Sequence, residues 1–115
     1  MAAMPDAPLP PHWFQILLAL ADSERHGLGI MEDVLARTAG TMRLWPGMLY
    51  RNLRQLEEAG FIGEARRSGP IERGSPRYFH ITPAGRRACA AEARRLESFV
   101  EAARAKHLLR RTSGD

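Results

Sequence analysis

Apolar residues recur at helical spacing in four stretches of the chain and alternate with polar ones in two short stretches. Trp13, Ile16, Leu17 and Leu20 sit at i, i+3, i+4 and i+7, which predicts a first, buried helix over His12–Ala21. Asp22, Ser23, Gly27 and Gly29 mark a break, and the run DSERH (22–26) reads as a turn in which Asp22 or Ser23 caps or ends a helix. Ile30, Val34 and Leu35 predict a second helix that stops near Gly40. Leu49, Leu53 and Leu56 predict a third, with Pro46 suited to its first position and Gly60 to its end.

The period then changes. FIGEARR (61–67) and RYFHI (77–81) read as two strands around the loop SGPIERGSP, a hairpin longer and more basic than a tight turn requires. Tyr78 and Ile81 suit structural places in a half-buried strand. Thr82 and Pro83 form an N-cap and first-turn pair that opens a last helix reaching about Arg110. The expected class is mainly α with a small β-hairpin, an α+β chain. A flexible proline-rich start covers residues 1–11, a winged helix-turn-helix domain 12–81, a C-terminal dimerisation helix 82–110 and a flexible tail 111–115. Three helices followed at once by a basic hairpin is the plan in which the third helix enters the major groove and the hairpin flanks it.

Charge sharpens this reading. The chain has 115 residues and a net charge of +4, but only two cations stand against five acids before Arg43, whereas seven stand against four from Arg43 to Ile81. A field concentrated in the middle of the chain suits a polyanion. Opposite the leucine stripe of the third helix lie Met48, Arg51, Asn52, Arg54 and Gln55, types that grip phosphate and hydrogen-bond base edges; Asn52, beside Leu49 and Leu53, is the one that points partly inward. Gly47 lets backbone approach phosphate at the helix start. Tyr50 reads equally as a phosphate contact or as a prop at the edge of the core. In the hairpin, Arg66, Arg67, Arg73 and Arg77, with Ser75, are candidates for backbone or minor-groove contact.

The last helix is too long for so small a domain: Thr82 to Leu109 would extend about 40 Å at 1.5 Å per residue. Along it Cys89, Ala93, Leu96, Val100, Ala103 and His107 form a stripe with Phe99 on its border, and an apolar seam on a projecting helix calls for the same helix of a second subunit. Cys89, next to Arg86 and Arg87, reads as a small buried hydrophobe, with a thiol sensor as the rarer alternative. One cysteine forms no internal disulfide and, with any one histidine, falls short of a usual zinc site. No cofactor or metal is expected. There is no Gly-rich phosphate loop and no nucleophile elbow, so an enzyme is not expected. Met1 to Pro11 lacks the charge and apolar run of a secretory signal, and the longest apolar run is Ile16–Ala21, so the expected location is cytoplasmic, with no membrane partner.

HGLGI (26–30), PGMLYRNLRQLEEAGFI (46–62) and RYFHITPAG (77–85), in this order, resemble the landmarks of the PadR-like transcriptional regulators over about Trp13 to Arg110. The resemblance implies a homodimeric regulator of double-stranded DNA, usually a repressor. It also allows a small-molecule effector, an aromatic or cationic ligand held between the long helices and the first helix, where Trp13, Phe14 and Phe99 are candidates and ordinary core packing is the competing use. The chain departs from the family pattern at Leu28, usually aromatic, at Gly29, usually acidic or polar, and at Trp45, commonly a serine. Loss of a serine there removes a capping oxygen, and the area of Trp45 is expected to compensate by packing. The rival expectation is a winged-helix protein-interaction module that dimerises and meets an acidic partner through Trp45 and the basic face, without binding DNA specifically.

Overall fold

A computed structural model describes residues 7–66 and 76–110. Its elements in chain order are α1 (Pro11–Ala21), β1 (Arg25–His26), α2 (Gly27–Arg37), α3 (Pro46–Glu58), β2 (Ile62–Glu64), β3 (Tyr78–Ile81) and α4 (Pro83–Ala105). The antiparallel sheet has the order β1-β3-β2, with Ile62 opposite Ile81 and Arg25 opposite Phe79. One face of it, carrying Phe79, Ile81 and Ile62, closes a core supplied by Ile16, Leu17, Leu20, Ile30, Val34, Leu49, Leu53 and Leu56. This is a winged helix: three helices, a hairpin, and a fourth helix of 23 residues, about 34 Å long.

Three helices end in the same way. The chain turns left-handed at Ala39, Gly60 and His107, and the next amide reaches back across the last turn, as in Gly40 to the Leu35 carbonyl (2.8 Å), Phe61 to Leu56 (3.0 Å) and Leu108 to Ala103 (2.9 Å). Gly60 occupies the expected stop. At the end of α2 the left-handed residue at the stop itself is Ala39, with Gly40 following, and α4 ends at Ala105 instead of near Arg110. His107, expected on the helical seam, is the residue that terminates it.

Two further differences come from tertiary pairing. DSERH is not a free turn, because Arg25 and His26 pair with Phe79 and Tyr78 as a third strand. Gly27 and Gly29 do not break the chain; they open α2, whose N-cap is His26, with Nδ1 accepting from the Gly29 amide at 2.9 Å. The segment just ahead of α1 is held as well. Leu9 packs on the core and its amide donates to Glu92 of α4 at 3.1 Å.

The junction between wing and α4 explains TPAG. Thr82 accepts from the Gly85 amide and donates to the Gly60 carbonyl at 2.6 Å, tying α4 to the end of α3. A Cβ at Gly85 would stand 2.1 Å from the Phe61 carbonyl oxygen, so only glycine fits there.

Candidate nucleic-acid interface

The third helix divides into two chemically opposite faces. Leu49, Leu53 and Leu56 are buried, each fully buried leucine being worth roughly 1.5–3 kcal/mol. Gly47, Tyr50, Arg51, Arg54 and Gln55 are exposed, while Met48 and Asn52 are half-buried. Among the described residues the side chains of Arg51 and Arg54 enter no ion pair or hydrogen bond. A Cβ at Gly47 would meet nothing within 4 Å, so the first turn of the helix is open to a partner's approach.

Other members of the predicted set are engaged within the chain. Asn52 turns its amide back onto the Met48 carbonyl at 2.7 Å, so this residue supports its own helix. Gln55 accepts a long 3.4 Å bond from the Trp13 indole, whose ring also meets Phe61 edge-on at 6.0 Å. Tyr50 stands at the edge of the core: half of it is exposed, yet its hydroxyl lies so close to Gly27 that a Cβ there would come within 2.6 Å. The ring thus fixes the crossing of α2 over α3.

In the wing, Arg66 is exposed at the end of β2, and Arg67, Arg73 and Ser75 lie outside the described residues. Arg77, a candidate for backbone or minor-groove contact, is engaged within the chain. Its guanidinium lies 2.8 Å from Glu64 and 3.7 Å from Glu57 and over the Phe79 ring, so two carboxylates already neutralise it. Among the described residues Arg51 and Arg54 on α3 and Arg66 at the start of the wing form no ion pair, nor do Arg87 and Arg94 on α4. Among those residues no helix is long and apolar enough to cross a membrane, and no three metal-ligating side chains gather.

The comparisons with known proteins agree with this architecture. The model of the transcriptional regulator PadR-like family matches residues 16–91, two-thirds of the chain. The chain belongs to the PadR-like family. A transcriptional regulator from Clostridium thermocellum is similar in fold at 20% identity, with a TM-score of 0.67 over 81% of this chain and 86% of that one. A PadR-like transcription factor from Bacteroides fragilis gives 18% identity and a TM-score of 0.67 over 85% and 89% of the two chains. A putative transcriptional regulator from Thermoplasma acidophilum gives 24% and 0.61 over 81% and 89%. Among curated proteins none matches.

Within this PadR-like chain the last helix is apolar where it leaves the core. Gly85, Cys89 and Glu92 are its buried residues; beyond them Ala93 is exposed, Leu96 and Ala103 are half-buried, and Phe99 is 57% exposed, with Val100 exposed beside it. Cys89, expected on the seam, belongs to the core of its own chain. Burial pushes its thiol pKa up, against the opposing pull of Arg37 and Arg86, and so disfavours the thiolate. Trp13 and Phe14 pack on the core, so of the three aromatics weighed for an effector only Phe99 is open, with Arg95 over its ring at 5.3 Å.

Two features escaped the sequence reading. Glu92 is a buried carboxylate held by Arg95 and the Leu9 amide, which together keep its pKa below the ordinary glutamate range; no spacing signals a bond between residues 83 apart. Trp45 does not pack away as expected. It is 61% exposed, stacked under Arg43 at 5.5 Å, and with Leu28, Met31 and Leu35 it lines an open groove of about 260 Å³. The departures at 28 and 45 thus meet in one place.

Proposed function

We propose that this PadR-like regulator is a sequence-specific DNA-binding repressor that acts as a homodimer on an inverted-repeat operator. One observation carries the reading: the leucine face of α3 is buried while Arg51 and Arg54 on its opposite face are exposed and unneutralised by any described carboxylate. Arginine pairs bidentately with guanine, and a cation on a phosphate releases counterions, so this face offers both specificity and affinity. Gly47 and Tyr50 position the helix, Gln55 contributes from its edge, and Arg66 leads into the wing, where Arg67, Arg73 and Ser75 are assigned to the backbone.

Dimerisation is supported by the seam of Leu96, Phe99, Val100 and Ala103, which the chain's own core leaves uncovered. Twofold symmetry then requires half-sites about 34 Å apart or a multiple of that spacing. Repression follows from occupying a promoter. An effector, if the dimer takes one, lies against the long helices near Phe99. Selection of duplexes from a random pool tests binding, sequence preference and symmetry together: an enriched inverted repeat is expected, and enrichment of nothing overturns the reading.

A further inference from the structure

The sequence around Trp45 raises a physical problem that the role of α3 alone does not solve. An indole at the N-cap supplies no oxygen to the first-turn amides, and none of its atoms caps α3. Nor does it serve the core, being 61% exposed. Among the described residues the Arg43 guanidinium rests over the ring at 5.5 Å, a cation–π attraction. Stacking holds both side chains on the surface immediately ahead of Gly47.

Position decides what this pair meets. In a helix-turn-helix the N-terminal residues of the recognition helix approach the base edges. Trp45 directly precedes that end, and Trp45, Gly47 and Arg51 are all exposed, with nothing within 4 Å of a Cβ at Gly47. Resting on the proposed DNA-facing role of α3, we infer that Arg43 and Trp45 form a second reading element: Arg43 holds a phosphate flanking the half-site, and the Trp45 indole packs on the 5-methyl group of a thymine in the major groove. A methyl group is the apolar feature that distinguishes thymine there, and flat or small apolar side chains read it. Arg43 supplies the charge complementarity that an isolated tryptophan lacks.

The test uses the duplex enriched by the wild-type protein, the same duplex with deoxyuridine in place of thymidine, and a scrambled duplex, each titrated at two salt concentrations. Trp45→Ala is expected to lower affinity for the thymidine duplex about tenfold, to leave the deoxyuridine duplex bound as by wild type, and to keep the salt slope. Arg43→Ala is expected to weaken selected and scrambled duplexes alike and to reduce the slope by about one unit. Arg54→Ala serves as the reference for α3 itself. If Arg54→Ala weakens binding while Trp45→Ala matches wild type on the thymidine duplex, this inference falls and the role of α3 stands. Equal losses on all duplexes with a lowered melting temperature make Trp45 a support of the loop and also overturn it. A wild-type protein that enriches no duplex overturns both.

Discussion

Two helices of this molecule leave a face uncovered, and the two faces ask for different partners. On α3 the bare side carries Arg51 and Arg54, whose charges meet no carboxylate among the described residues. On the outer half of α4 Arg95 pairs with Glu92 and Arg104 with Glu101, each within one turn, only Arg94 staying unpaired among the described residues, and the large apolar side chains left open are Phe99 and Val100. A hydrated cation costs nothing to leave in water and gains by displacing counterions from a polyanion. An exposed apolar seam gains only by burial, at about 25 cal/mol per Å². The same residue type, arginine, is therefore left unpaired on the outer face of α3 and neutralises carboxylates beside the seam at Arg95 and Arg104.

The contrast can be broken from its largest effect down. Leu53→Ala, on the inner side of α3, is expected to lower unfolding free energy by about 2–5 kcal/mol in a urea titration, because it opens a cavity in the core. Leu96→Glu sets a charge in the seam and is expected to weaken self-association on the order of a hundredfold or more by analytical ultracentrifugation. An unchanged dimer after that substitution would remove α4 from the interface. Arg54→Ala is expected to weaken specific duplex binding by about 1–3 kcal/mol and to relax sequence preference, with an unchanged melting temperature. A fall in stability instead would mean that the outer face of α3 supports the fold.

Arg77→Ala is expected to change little, about 0–1 kcal/mol in stability, and to leave the salt slope of DNA binding near the wild-type value, since Glu57 and Glu64 already neutralise that cation. A drop in slope by one unit would return Arg77 to the phosphate contacts. The mildest test is acid. Glu92 has a folded pKa lowered first by its bond to Arg95, so its contribution is present above the unfolded value and is lost as pH falls through the folded one. Melting temperature should decline across that acidic window in wild type and less steeply in Glu92→Gln.

Much of the division of α3 into an inner and an outer side was readable without coordinates. Leu49, Leu53 and Leu56 fix which side of α3 turns inward, and an amphipathic period is a local property of seven or eight residues. Gly60 and the Thr82–Pro83 pair were equally legible, because capping chemistry acts within one helical turn. By contrast β1 has two residues and no period, and it exists only because β3 offers it a partner. The stop of α2 was signalled by Gly40, one residue past the left-handed Ala39, whereas the stop at His107 carries no glycine and gave no signal.

By itself, then, the sequence determined the order of the four helices and the hairpin, the buried stripes of the first three helices, the basic middle of the chain and the family. All of these follow from interactions between residues a few positions apart or from composition. Only the tertiary structure decided which arginines keep their charge available, that Cys89 sits in the core and not on the seam, that Leu9 is fastened to Glu92, and that Trp45 stands out beside Arg43. Those outcomes depend on which distant side chains arrive within a few ångströms of one another, and no one-dimensional pattern encodes such arrivals.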